Sequence, residues 1–177
     1  MKPSAKFAQG IPGKCDGRGI GLIDFASDFP MILDCIVILD WLGALTCADM
    51  VQFNEWWSAW LEWVWGSSNG RDERAAKNNH GTNYDKHLVA VAHFVNNDTV
   101  VAAICSSVPK TRLDVQIGPN GTLPLEDTRT KSEGYHTYDT IALLELAAVC
   151  RQSYGTKFPG GWRPMIVEPA PRALGGG

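Results

Sequence analysis

Residues 78–85 read NNHGTNYD, a run of two amides, an imidazole, a glycine, a hydroxyl, a third amide, a phenol and a carboxylate. A turn needs some of these groups and a capped helix needs others, but neither needs all of them. A second polar cluster follows about fifty residues later. It consists of Arg129, Thr130 and Lys131, and after three residues Tyr135, His136, Thr137 and Tyr138. A third lies in a glycine-rich stretch around Arg18, with glycines at 13, 17, 19 and 21. That stretch has neither G-x-G-x-x-G nor a GK[ST] ending and no strand before it, so it reads as an irregular arm and not as a phosphate loop.

Asn79, His80, Arg129 and Tyr135 together offer an amide, an imidazole, a fixed cation and a phenol. They form no Ser-His-Asp arrangement, no cysteine beside a histidine and no pair of carboxylates suited to glycoside hydrolysis. Asp85 reads as a partner of a helix macrodipole. The set suits removal of a proton alpha to a carboxylate. In a uronate polymer the proton at carbon five is only weakly acidic while the carboxylate keeps its charge. Amide, imidazole and guanidinium donors can hold that carboxylate and stabilise the enolate-like state. A phenol can then serve as base at carbon five or as acid at the glycosidic oxygen. A metal shared by His80 and His87 is not expected, because seven residues is two helical turns.

The elements that must position these groups are helical. Met31, Ile32, Cys35, Ile36, Leu39 and Leu42 recur at spacings of three and four and predict one buried helix face, with Asp28 as N-cap, Pro30 in the first turn and Gly43 at the end. A second helix is predicted from about Thr46 or Asp49 to Gly66. It carries five tryptophans between 56 and 65, read as core bulk in preference to a sugar platform. A polar connection with a short helical turn follows. Further helices are predicted over about 83–95, capped by Thr82 or Asn83, over about 98–114 with an interruption at Pro109, and over about 137–153. No strand pattern competes. The expectation is an all-α chain of antiparallel helical hairpins, with residues 1–28 as an arm, 29–154 as the helical domain and 155–177 as a poorly ordered tail rich in Pro and Gly. If the hairpins alternate in direction, the starts of the 83–95 and 137–153 helices share a rim, and His80, Asn79, Arg129 and Tyr135 surround one cleft.

Three stretches carry a resemblance: GRGIGLIDF, then SSNGRDERAAKNNHGTNYDKHLVAVAHFVNND, then QIGPNGTLPLEDTRTKSEGYHTYDTIALLELA. Over about residues 11–152 the chain resembles the alginate lyase family of polysaccharide lyases. The resemblance implies an (α/α) toroid, here an incomplete one, because family members are considerably longer. It implies cleavage of a polyuronate by β-elimination and an anionic polysaccharide as partner. Asn79 and His80 match the pair taken to neutralise the substrate carboxylate. Arg129 matches the family arginine, and Tyr135 the tyrosine acting as acid and base. Arg18, Asn78, Tyr84, Lys131, His136 and Tyr138 are the further substrate-binding candidates. Lys131 stands where members often have arginine, and SEGY where they have a more aromatic run. Lysine is the weaker bidentate clamp, so substrate choice is open. The alternative is a non-catalytic carbohydrate-binding scaffold or an inactive fragment of such a lyase.

The bulk numbers fit this reading. With 16 basic and 19 acidic residues in 177 the net charge is −3, so no bulk field favours nucleic acid or an anionic membrane, and a polyanion would have to be held by local cations. No eighteen-residue apolar run and no apolar stretch near the start predicts a membrane span or a signal peptide in this chain. The resemblance implies a secreted or periplasmic protein. No cofactor and no metal are expected. The five cysteines form no CxxC pair, and Cys35 and Cys150 are expected as buried thiols. Asn97 and Asn120 head N-x-[ST] tripeptides in turn-like contexts. The ends of an open arc predict self-association.

Overall fold

The computed structural model describes residues 29–154, all of whose regular structure is helical. The arm with Arg18, the Asp28 cap and the tail lie outside the described residues. Helix α1 spans Phe29–Trp41, α2 Cys47–Gly66, α3 Ser68–Arg74, α4 Asn79–Phe94 and α5 Asp98–Cys105. A π-helical turn, Pro109–Leu113, leads into the single turn α6, Asp114–Gln116, then α7, Pro124–Asp127, and α8, Ser132–Tyr154.

Local chemistry sets the first boundaries. Gly43, at φ +70°, ends α1 in a Schellman arrangement, with its N–H donating to Asp40 O and the Ala44 N–H to Leu39 O, both at 2.9 Å. Thr46 opens α2 with a reciprocal capping box: its hydroxyl accepts from Asp49 N at 3.2 Å, and the Asp49 carboxylate accepts from Thr46 N at 2.8 Å. The face that α1 buries differs from the expected one. Phe29, Leu33 and Ile36 are buried, whereas Met31, Ile32, Leu39 and Leu42 are exposed. The helix is apolar on nearly every side, so its periodicity could not choose a face. Cys35 lies on the exposed side as a free thiol, against the expectation of burial.

The tryptophans of α2 are mostly core. Trp57, Trp60, Leu61 and Val64 are buried, and the Phe29 ring meets Trp57 and Trp60 edge-on at centroid distances of 4.7 and 5.0 Å. Helix α4 is the centre of the domain. It packs most extensively on α8 and also touches α1, α2, α3 and α5. Every residue from Gly81 to Val89 is buried, so this stretch of the helix has no solvent face and its polar residues need internal partners.

The expected 98–114 helix is broken into α5 and the π-helical turn. Pro109 heads that turn, where its missing N–H costs no bond. Cys105, the last residue of α5, is joined to Cys150 on α8 by a disulfide across a sequence separation of 45. Cys150 is therefore buried as half of a cross-link and not as a thiol. Closing a loop of that length restricts the unfolded chain by about 4 kcal/mol in the chain-entropy account.

Candidate active site

The octapeptide is helix from its second residue, four residues earlier than expected, and the cap is Asn78 instead of Thr82 or Asn83. The Asn78 side chain accepts from His80 N at 3.4 Å. Asn, His, Gly and Thr are weak helix formers, and each here has a tertiary reason to be in the helix. Asn79 donates to the Glu126 Oε1 twice, from its backbone N at 2.8 Å and its Nδ2 at 2.7 Å. His80 Nδ1 lies 2.7 Å from Oε1 of buried Glu73 on α3, and its side chain keeps 20 % of its exposure. A carboxylate at Nδ1 orients the imidazole and places a proton on that nitrogen.

Gly81 leaves room for Arg112. A Cβ there would overlap the Ala76 carbonyl and come within 2.5 Å of Arg112 Nη1. Thr82 donates to Gln116 Oε1 at 3.0 Å, and Asn83 Nδ2 to Asn79 O at 2.9 Å. Tyr84 is 2 % exposed within the apolar core, which corrects its assignment as a substrate contact. Burial pushes its phenol up, so it stays protonated. Asp85 is not a first-turn macrodipole partner. It is buried and accepts from Arg112 Nε at 2.7 Å, while Arg112 Nη1 and Nη2 donate to Ala76 O at 2.8 Å and Arg74 O at 2.9 Å. Burial pushes the Asp85 carboxyl up and the Arg112 guanidinium opposes that shift.

The second half of the site starts earlier than expected as well. Helix α8 begins at Ser132, so Tyr135 sits in its first turn, its N–H donating to Lys131 O at 3.0 Å. The Arg129 guanidinium carbon lies 4.0 Å from the centroid of the Tyr135 ring. Arg129 Nη1 is 3.8 Å from Glu126 Oε2. Asn79, Glu126, Arg129 and Tyr135 thus form a continuous chain of contacts, with His80 next along α4. Glu126 has 0 % exposure and Asn79 1 %, whereas the Arg129 side chain keeps 34 %. The groups at the surface of this cluster are His80, Arg129 and Tyr135. His136 Nδ1 pairs with Asp127 Oδ1 at 2.9 Å, and Lys131 and Tyr138 are exposed.

Asp139 lies one helical turn beyond Tyr135 on α8 and is 1 % exposed. Neither of its carboxyl oxygens has a hydrogen-bond partner of ordinary geometry. Burial, aided by Glu126, pushes it up to about 6, and the Thr82 hydroxyl, Arg112 and His136 only partly oppose this. For an acid raised above its unfolded value of about 3.9, the folded state binds the extra proton. Stability is then highest below about pH 4 as far as this group decides it, and falls as pH rises towards about 6. Asp139→Asn should therefore unfold at higher urea than the parent at pH 7.5, by on the order of 2 kcal/mol. The difference should vanish near pH 4, and urea titrations of both proteins at the two pH values check this.

Glu73, Glu126, Arg112 and Asp139 carry much of this geometry, and sequence reasoning did not single them out as a set. The one signal was indirect: buried polar residues along α4 require partners, and Glu126 lies just before Arg129 in the quoted stretch QIGPNGTLPLEDTRTKSEGYHTYDTIALLELA. No group of three or more metal-ligating side chains occurs among the described residues.

The family model for alginate lyases matches residues 1–155. No curated protein matches the chain. Among solved structures, an alginate lyase from Bacteroides ovatus superposes with a TM-score of 0.81 at 33% sequence identity, over 88% of this chain. The chain spans 41% of the length of that structure's chain. With the family model covering all of the described helices and an all-helical fold to match, this chain belongs to the alginate lyase family.

Proposed function

We propose that the chain carries the catalytic groups of a polysaccharide lyase that cleaves a polyuronate by β-elimination, leaving an unsaturated uronate at the new non-reducing end. The observation that carries this reading is the stack of Arg129 on Tyr135, tied through Glu126 to the Asn79–His80 end of α4. Two segments about fifty residues apart meet through the Asn79–Glu126 hydrogen bonds, and an imidazole lies next to that contact in the chain, with a guanidinium and a phenol on its other side.

In this reading Arg129 and a doubly protonated His80, whose Nδ1–H faces Glu73 and whose Nε2–H faces the sugar, hold the substrate carboxylate. Charge that builds on it as the carbon-five proton leaves is then met by fixed donors that need no reorganisation. Tyr135 removes that proton and returns one to the glycosidic oxygen at carbon four as the C–O bond breaks. Asn79 has its side-chain amide turned into the protein toward Glu126, so its part is to hold the start of α4 beside His80. Lys131 and Tyr138, exposed, and the half-buried His136 lie around the same helix start and are the candidates to meet neighbouring sugars. Arg18 keeps its proposed part in substrate binding on the resemblance alone. A secreted or periplasmic location goes with this reading and is supported by the Cys105–Cys150 disulfide, since such bonds persist in oxidising compartments. No helix among the described residues is long and apolar enough to cross a membrane.

The test is ultraviolet absorbance of unsaturated uronate over time, with the full chain mixed separately with polymannuronate, polyguluronate and glucuronan. A steady rise on one of them supports the reading. A flat trace on all three, with binding of the polymer by a folded sample, would replace it with the non-catalytic carbohydrate-binding alternative.

A further inference from the structure

Glu126 contacts three of the four residues assigned to catalysis or touches them through one intermediate, yet it has no exposed surface of its own. Its two oxygens face opposite halves of the site. Oε1 takes both donors of Asn79 at 2.8 and 2.7 Å, at the N-terminus of α4, where an anion is also favoured by the helix dipole. Oε2 is buried without a hydrogen bond and has the Arg129 guanidinium 3.8 Å away. Arg129 in turn lies on the Tyr135 ring. Asn79 and Arg129 are not joined by any other contact among those described, so the carboxylate is the shared anchor of the two segments.

We propose that Glu126 is a positioning residue that fixes the distance between the start of α4, which bears His80, and the Arg129–Tyr135 pair, and that it does so through its negative charge. This rests on the lyase reading above. A carboxylate is the group that can accept two donors on one oxygen while attracting a cation with the other. The amide of Gln keeps an acceptor for Asn79 but turns an NH2 group toward Arg129, or the reverse. Either way one half of the site is released while the helices stay packed.

The experiment compares the full chain with Glu126→Gln, Arg129→Ala and the double variant, in two independent measurements. The first is steady-state turnover of whichever polyuronate the parent cleaves. Glu126→Gln should lower kcat at least tenfold with KM changed less than threefold. Adding it to Arg129→Ala should cost at most threefold more, because the two act through one geometry. Full kcat in Glu126→Gln, or losses that simply multiply, would overturn the proposal. The second measurement needs no activity. In 1H–15N spectra the Arg129 Nε–H or the Asn79 side-chain NH2 resonances should move in Glu126→Gln, while the Trp60 indole, deep in the core, stays in place. Unchanged Arg129 and Asn79 signals would overturn the proposal, as would shifts spread across the core that mark a general loss of packing. If the parent cleaves none of the polymers, the lyase reading fails by itself and the spectra alone decide the role of Glu126.

Discussion

Tyr135→Phe is expected to lower the rate of unsaturated-uronate production by about a hundredfold to ten-thousandfold, the usual range for loss of a positioned acid–base group. The substitution removes one oxygen and leaves the ring on which Arg129 lies at 4.0 Å. Stacking of the guanidinium on an aromatic face survives in Phe, so the cation should stay in place and KM should move little. Tyr135→Ala removes the ring as well. It should add a rise in KM to the loss of kcat, because Arg129 then keeps only its contact with Glu126. Progress curves over a range of polymer concentrations separate the two effects. Equal rates in the parent and the Phe variant would mean that another group moves the proton.

Arg112→Met should be the most damaging single change to the fold, at about 3–5 kcal/mol, the range for removing one partner of a buried ion pair. Arg112 is 4 % exposed and makes three directed bonds, one to Asp85 and two to the carbonyls of Ala76 and Arg74. Its loss leaves a buried carboxyl and two carbonyls without donors. Lys does not restore the set, because one ammonium on a flexible stem cannot reproduce a planar fork. Arg112→Met with Asp85→Leu removes the stranded carboxyl and should recover part of the loss, leaving the two carbonyls as the residual cost of about 1–3 kcal/mol. Urea unfolding followed by far-ultraviolet circular dichroism measures all four proteins. In a heat scan the single variant should melt roughly 10 °C or more below the parent.

What the sequence made legible divides along a physical line. The end of α1 at Gly43 and a start of α2 near Thr46 or Asp49 were readable because the groups that set such boundaries are neighbours in the chain. Arg129 and Tyr135 were singled out together through the family resemblance, but the placement of the guanidinium over the ring came only with the structure. The start of α4 was misplaced because Asn79, His80 and Gly81 have poor local helix propensity, and what holds them in the helix is Glu126, Glu73 and the space kept for Arg112. The same holds for α8, whose opening Ser-Glu-Gly gave no helical signal. The buried face of α1 was unreadable for the opposite reason, an excess of apolar residues on every side. The Cys105–Cys150 bridge left no trace, since its halves lie on two helices 45 residues apart and nothing local pairs them.

The octapeptide at the start of α4 has one more consequence, for descent. Asn78 caps the helix, Asn79, Thr82 and Asn83 satisfy internal acceptors, Gly81 clears a path for Arg112, Tyr84 fills the core and Asp85 pairs Arg112. Selection for a folded chain would by itself preserve these seven residues, and the pairing of His80 with buried Glu73 adds to the same pressure, in a lineage that had stopped cleaving anything. A search that sorts working lyases from inactive descendants by NNHGT-x-YD would therefore be reading the scaffold. On the proposed lyase reading, the residues to compare are those with solvent in front of them: His80, Arg129 and Tyr135.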